Sequence, residues 1–453
     1  MVWFFPKGIS YVCLYQTLLL WSRPHPTISS NHCHTHILAF SSSIHTPARR
    51  TKIMSVANHN DNHNDNIMDP TSSSTLPATM RAAQGKDYGD IEEMMSVQDG
   101  IVVPQLKDCV DPKQQHQYLV LRTLSVSLAP GDCRVLSGKT RELQGPPSFP
   151  YIPCGDCSGI VVEVPPPQKK KKKDDESYFQ VGDRVAVRFA EGPRDALAEY
   201  ALVRQDVCEK ILDTSLSSED AAALASASPA TSLADRLVPG ERVLVLGAGG
   251  GVGSHLCQLA RTTRDVAYIV GVGKDTDRLV RPPISCHDAF DYTNQAQDPW
   301  WSTVEWQDQP FDVVVDLAGG AWEKLQQQAK HGEKMIVKPA SQGGRLLTLV
   351  PAGPIFEMHS IWSALQAFLV SPLWRAFRTR TWSRSVLPAY TFAMSLDSDR
   401  GVMTRTLQLA KEGKLQACID EIFPFTTEGV RKAFKRQESR HAHGKVIVQV
   451  ASK

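Results

Sequence analysis

Hydrophobic and polar positions alternate in short runs over the first half of the chain. From Gln117 to Ser127, Tyr118, Val120, Arg122, Leu124 and Val126 fall on one side of a period-two pattern, which predicts a strand. Shorter β-type runs occur at Met94–Val97 and Ile101–Val103, and Val181-Gly182-Asp183-Arg184 turns into the apolar run Val185-Ala186-Val187. Val243-Leu244-Val245-Leu246 is different, being continuously apolar, as expected of a strand buried on both faces. Five glycines follow within seven residues (247, 249, 250, 251 and 253), and Ser254 to Arg261 then reads as a helix. The next apolar run, Val266 to Val272, predicts a second buried strand. Farther on, Ile361, Trp362, Leu365, Phe368, Leu369, Leu373, Trp374 and Phe377 form an apolar band at helical spacing. Arg375, Arg378, Arg380 and Arg384 cluster at its end. Such a stripe is expected to face a core or a dimer partner, and membrane association is not expected.

The glycine segment carries the chemistry. Its spacing is Ala248-x-Gly250-x-x-Gly253, set between a strand and a helix. Glycines there let the backbone turn sharply and approach a pyrophosphate, while the first N–H groups and the positive dipole end of the helix face the anion. Gly249, Gly251 and Val252 complete the turn, so 248–253 is the expected cofactor cradle. The end of the second strand selects the dinucleotide. A carboxylate there would hold a ribose 2′-hydroxyl; this chain has Gly273, which leaves space, then Lys274, which supplies charge. Arg278 adds a second cation if the turn brings it round, and Asp275 and Asp277 fit as helix-start residues. NADPH is therefore the expected cofactor, with a solvated surface lysine the competing reading of Lys274.

Composition bounds the rest. A chain of 453 residues accommodates two or three domains. A formal charge of +2 gives no case for nucleic acid, and ten scattered cysteines suit a reducing compartment. No apolar run reaches membrane length. Residues 1–79 read as a leader outside the fold. Met1 to Asn60 contains no Asp or Glu, is rich in Ser, Thr and His, and has Arg49-Arg50-Thr51-Lys52 near its end. It reads either as an organelle transit peptide or as an extension ahead of a start at Met54 or Met80. The expected location is mitochondrial or cytoplasmic. Ser55 to Ser74 reads as a polar linker, and His32-Cys33-His34-Thr35-His36 as an incidental cluster.

The order of the blocks resembles the medium-chain dehydrogenase/reductase superfamily, in its zinc-free quinone oxidoreductase branch. The blocks are Pro130-Gly131-Asp132 to Gly138, Pro150 to Val162, Val181-Gly182-Asp183-Arg184-Val185, the glycine motif, Phe311 to Gly320, Gly343 to Val350, and His441-Ala442-His443-Gly444-Lys445-Val446-Ile447-Val448. The resemblance implies an α/β protein: a GroES-like β-barrel domain with an inserted Rossmann domain built on a doubly wound parallel sheet. The barrel would comprise 80–216 and 396–453, the Rossmann domain 217–395, and the ligand cleft would lie between them. It also implies cofactor contacts from Thr231, Tyr292, Ala318, Gly319, Val350, Pro351, Gly444 and Lys445. Tyr292 reads equally as a buried strand-end tyrosine, and Lys445 as a plain surface lysine.

Where zinc dehydrogenases of the superfamily have Cys and His, this chain has Asp132 and Asp156. Cys154-x-x-Cys157 is a single pair, better read as core thiols. No metal is expected. Hydride transfer from NADPH to a quinone or an α,β-unsaturated carbonyl then needs only alignment and a proton source. The runner-up readings are an enoyl reductase of fatty-acid or polyketide synthesis and a non-catalytic NADPH-binding redox sensor or scaffold. The pocket stretch after the first block carries Ala129, Arg134 and Thr140, where quinone reductases often have Asn and Tyr, and no residue is assigned as general acid. The Pro-, Lys- and Asp-rich stretch 164–176 reads as an inserted surface loop, and a homodimer is the expected assembly if the chain is not monomeric.

Overall fold

The computed structural model describes residues 76–109, 112–141, 145–146, 148–166, 178–188, 195–296, 298–350, 360–393 and 400–451. The leader to residue 75, most of the Lys-rich insertion, and Pro351 lie outside the described residues. The chain opens with an antiparallel pair, β1 (Thr79–Gly85) and β2 (Met95–Val102). The two short runs expected near 94–103 thus form one strand. β3 (Tyr118–Leu128) spans the alternating segment, and α1 (Pro130–Leu136) follows it. β4 (Asp156–Glu163), β5 (Arg184–Val187), β6 (Tyr200–Arg204) and β7 (Cys208–Lys210) complete the first part of a barrel sheet.

Two helices lead out of it, α2 (Ser218–Ala227) and α3 (Pro229–Ala234). Then come β8 (Arg242–Leu246), α4 (Gly253–Thr262), β9 (Tyr268–Gly273), α5 (Thr276–Val280), β10 (Asp288–Asp291), β11 (Val313–Asp316), α6 (Ala321–His331) and β12 (Arg345–Thr348). A continuous helical rod comes next as α7 (Ile361–Leu365), a π-turn at Gln366–Val370 and α8 (Ser371–Arg380), and leads to β13 (Ala389–Phe392). The chain ends with α9 (Arg400–Lys411), β14 (Ile419–Pro424), α10 (Thr427–Glu438) and β15 (Lys445–Gln449).

The second sheet runs β10-β9-β8-β11-β12-β13, with every pairing parallel. Numbered from its own first strand, that order is the doubly wound dinucleotide-binding one, with β8 at the reversal point. Its strands are apolar on both faces because helices cover both. Val243, Val245, Ile269, Val313 and Val315 pack on one side with Leu256, Cys257 and Ala260 of α4. Leu244, Leu246, Val270, Val272 and Val314 pack on the other with Trp306, Phe311, Trp322 and Leu325. A fully buried Val or Leu contributes about 1.5–3 kcal/mol, so these alternating faces anchor the domain.

In the barrel sheet, β15 lies between β14 and β3, with Val446 opposite Leu128 and Ile447 opposite Ser127. The last strands of the chain therefore complete a sheet begun some 300 residues earlier, which makes the barrel discontinuous in sequence. Arg400 to Cys418 bridges the two halves: α9 packs on α2 and α3, its Arg400 and Thr404 bond Glu209 of β7 at 2.9 and 2.7 Å, and Leu415 and Cys418 join the core under α4. The barrel sheet resumes at Ile419. α2 packs against β3, β4 and β15, so it ties the barrel to the Rossmann half.

The turn after β8 allows no bulk at its last glycine. A Cβ on Gly253 would lie 2.2 Å from the Gly247 carbonyl oxygen and 2.8 Å from Ala248 Cα. Gly253→Ala should therefore destabilise the fold by about 3 kcal/mol and lower the thermal midpoint. Gly250→Ala, whose Cβ would meet Gly247 O at an ordinary 3.5 Å, should change it little. Equal midpoints for the two variants in a thermal melt would contradict this packing.

Candidate dinucleotide site at the carboxyl end of the parallel sheet

The site forms where β8 ends. Gly247 adopts φ +80°, a conformation that favours glycine, and its N–H and that of Ala248 both donate to Val272 O at 3.1 Å, bonding the turn to β9. Gly250 N–H donates back to Gly247 O. α4 then starts at Gly253; Ser254 N–H bonds back to Gly250 O at 3.0 Å and Leu256 N–H to Val252 O at 2.9 Å, and the positive end of the helix dipole faces this turn.

Two polar side chains of α4 reach across to the chain that returns to the barrel. His255 is fully buried. Cys418 N–H donates to its Nε2 at 3.1 Å, so Nδ1 carries the proton and donates to Gly251 O at 3.0 Å. Burial, then the Lys445 charge, depresses its pKa to about 3. Gln258, one turn on, exchanges two hydrogen bonds with the backbone of Gln416. This His–Gln pair grips residues 416–418. Sequence reasoning placed both residues in the helix but gave them no role; their signal was two polar residues on a face of α4 that the core occupies.

Lys445 enters the same turn from the barrel side. It is not the surface lysine that was the competing reading: it is buried, and its Nζ donates to Ser226 O and Ser226 Oγ, both at 2.8 Å. Its stem lies against Gly251, where an added Cβ would meet Lys445 Cδ at 2.7 Å. Burial lowers the ammonium pKa to about 8; the Asp156 and Asp132 carboxylates act upward and Arg188 downward. Arg188 donates to Ser228 Oγ at 2.8 Å. Lys445, Ser226, Arg188, Asp156 and Asp132 thus form one charged cluster beside the glycine turn, of which the sequence identified only Lys445 as a cofactor contact.

The end of β9 carries one exposed cation, Lys274, and leads to a second, Arg278, that reaches the turn. Gly273 is buried, and Lys274 beyond it is exposed. Arg278 Nη1 donates to Gly249 O at 3.3 Å, and its Nη2 donates to His443 O, so the guanidinium ties the turn to the chain beside Gly444. Asp275 is the cap of α5, accepting from Arg278 N at 3.1 Å, as its place in the sequence suggested. Asp291 sits opposite Gly273 in β10, but its carboxylate is turned to its own loop, accepting from Thr293 N and Oγ1 at 2.8 and 2.6 Å. Tyr292, next to it, is 53% exposed and is not the buried strand-end tyrosine of the alternative reading.

Across the switch point, Asp316 ends β11. Its buried carboxylate accepts from Ala318 N, Gly319 N and Ala321 N at 3.1, 2.6 and 2.9 Å, and desolvation raises its pKa. It thereby holds Ala318 and Gly319 at the mouth. Thr348 Oγ1 donates to Asp316 O and accepts from Val350 N, each at 3.0 Å, which fixes Val350 beside them. Thr231 is not gathered here. Its hydroxyl pairs with Thr406 Oγ1 at 2.7 Å and lines a separate cavity of about 290 Å³ with Asp235, Leu259 and Arg405.

Zinc does not fit the acidic pair. The Asp132 carboxylate caps α1, accepting from Ala129 N at 2.8 Å. Among the described residues, no three His, Cys, Asp or Glu side chains stand close enough together to hold an ion.

A family model described as the alcohol dehydrogenase GroES-like domain matches residues 115–213, and one described as zinc-binding dehydrogenase matches 285–448. The chain belongs to the medium-chain dehydrogenase/reductase superfamily. Among relatives of this superfamily member, the chloroplastic NADPH-dependent alkenal/one oxidoreductase of Arabidopsis thaliana is 25% identical over 385 residues, covering 83% of this chain and 81% of the relative. The 2-methylene-furan-3-one reductase of Solanum lycopersicum is also 25% identical, with the same coverage. A quinone oxidoreductase structure from Pseudomonas syringae pv. Tomato DC3000 superposes with a TM-score of 0.58 at 21% identity, over 82% of this chain and all of that one. The superposition shows a shared dehydrogenase/reductase fold.

The buried His255 predicts a pH dependence. Unfolded, it titrates near its ordinary 6.5; folded, near 3. Between those values the unfolded chain binds the extra proton, so stability is complete above 6.5 and falls as pH drops toward 3. The slope should be up to about 1.4 kcal/mol per pH unit. Denaturation midpoints from pH 7 to 4 should show that slope in the native chain and lose it in His255→Leu.

Proposed function

We propose that this chain is an NADPH-dependent, zinc-independent reductase of α,β-unsaturated carbonyls or quinones. That it is an oxidoreductase of the NAD(P)H-using kind follows from its superfamily and its named relatives. The single observation that carries the cofactor choice is the end of β9: Gly273 carries no side chain, the exposed Lys274 follows it, Arg278 rests its guanidinium on Gly249 O, and the two nearby carboxylates are engaged, Asp275 by Arg278 N and Asp291 by Thr293.

NADPH bound there would supply the hydride. The chain's part is to hold and orient. Helix-start N–H groups at Gly251, Val252 and Gly253 face the pyrophosphate. Lys274 and Arg278 hold the 2′-phosphate, with Tyr292 exposed alongside. Ala318, Gly319 and Val350, set by Asp316 and Thr348, form the wall along which the cofactor lies. Lys445 holds a proton on Nζ beside the turn and, with a pKa near 8, is mostly charged at neutral pH. Its positive charge lies next to the pyrophosphate path and supports an anionic ligand. With no metal to polarise a carbonyl, the acceptor must itself be electron-poor, as an enone or quinone is. The alkenal/one and furanone reductases among the relatives act on acceptors of that kind, as their names state.

Two measurements test this. The purified full chain should oxidise NADPH with an enone or quinone panel at a rate unaffected by a chelator; turnover abolished by chelation, or absent with every acceptor despite NADPH binding, would overturn the assignment. Lys274→Ala should weaken NADPH binding about tenfold while leaving NADH binding nearly unchanged, the loss expected for one charged contact to phosphate. Equal losses for both cofactors would remove Lys274 from the 2′-phosphate.

A further inference from the structure

The stripe expected to be buried is open on one side. α7, the π-turn and α8 make a rod of residues 361–380, about 30 Å long at 1.5 Å per residue. Its inner face is anchored: Ala364, Pro372 and Thr379 are buried, Phe368 packs against Phe392, and Thr379 Oγ1 accepts from Tyr390 N at 3.1 Å. The outer face carries Trp362 (76% exposed), Val370, Leu373, Trp374 and Phe377, and Trp382 (71% exposed) stands against it. Trp374, Phe377 and Trp382 pack on one another, with ring centroids 5.6–6.0 Å apart. Large aromatics gathered in solvent mark a surface that meets something.

The charge around this patch selects the partner. From 358 to 396 the sequence has no Asp or Glu, and it has four arginines. Arg375 turns inward to Glu323 at 2.9 Å. Arg378 donates to Ser383 Oγ at 3.2 Å, and Arg380 and Arg384 are exposed, leaving three guanidinium groups at one end of the patch with no carboxylate paired to them among the described residues. A two-fold contact would pair this patch with its own image, which has no carboxylate between 358 and 396 to meet the arginines. An anionic lipid surface instead supplies the opposite charge to the arginines and an apolar boundary for the tryptophans. No described helix is long and apolar enough to cross a membrane, so the rod would lie in the interface plane.

We propose that the outer face of residues 361–382 docks the protein on an anionic phospholipid bilayer, with Trp362, Trp374, Phe377 and Trp382 entering the headgroup boundary and Arg378, Arg380 and Arg384 meeting lipid phosphates. This stands independently of the reaction assigned above. The test is flotation of the full chain with vesicles of phosphatidylcholine alone or containing about 30 mol% phosphatidylglycerol, where the bound-to-free ratio should be about tenfold higher on the anionic vesicles and fall with added salt. Arg380→Glu with Arg384→Glu should abolish that difference. Trp374→Glu with Trp382→Glu should remove binding to both vesicles while leaving the thermal midpoint and solution turnover unchanged. Equal flotation with neutral and anionic vesicles, or none with either at low salt, would overturn the proposal. So would light scattering in which Trp374→Glu converts a dimer to a monomer while native flotation is absent.

Discussion

The close approach of α4 to the end of β8 is the constraint on which the rest depends. With no room for a Cβ between Gly253 and the Gly247 carbonyl, the helix start is brought over the strand end, and the positive end of its dipole faces the turn. Everything else in the site is arranged around that elbow. Gly247 and Ala248 are bonded to Val272 of β9, Arg278 reaches Gly249, and the glycine turn sits across from the Asp316 loop at the point where strand order reverses. A bulkier residue in place of Gly253 would push α4 off the sheet and undo the site and the core under it together.

The elbow is also where the two halves of the molecule meet. Lys445 belongs to β15 of the barrel, passes Gly251 of the Rossmann turn, and ends on Ser226 of α2, which itself packs on the barrel strands. His255 and Gln258 hold residues 416–418 just before the chain rejoins the barrel. A buried ammonium is costly unless its donors are satisfied, and a buried imidazole is stable only when neutral. Ser226 O and Oγ accept two of the Lys445 donors, and Gly251 O and Cys418 N–H hold His255 as the neutral tautomer. Charge and shape at this junction are therefore coupled, since the protonation of both buried groups depends on the two halves being docked.

The helical rod shows a different balance. Its inner face is ordinary core packing against β13. Its outer face leaves aromatic surface in water that the core does not use, beside guanidinium groups without acidic partners among the described residues. Hydrophobic periodicity alone cannot distinguish these two faces when both are apolar.

Local pattern was enough to read the elements and the motif. The apolar run, glycines and helix at 243–261, the open Gly273 with Lys274, and Asp275 as a helix cap are short-range properties, set by steric freedom, dipole direction and charge within a few residues of one another. The order of blocks along the chain carried the superfamily and its two-part architecture. Contacts between residues distant in sequence were decided only in three dimensions. The burial of Lys445 on Ser226, the neutral tautomer of His255, the retirement of Asp291 into its own turn, the pairing of Thr231 with Thr406 away from the cleft and the exposure of Trp374 and Trp382 all depend on which surfaces the packed sheets and helices cover. A sequence states which side chains are apolar or charged; only the docked elements decide which of them lose their water.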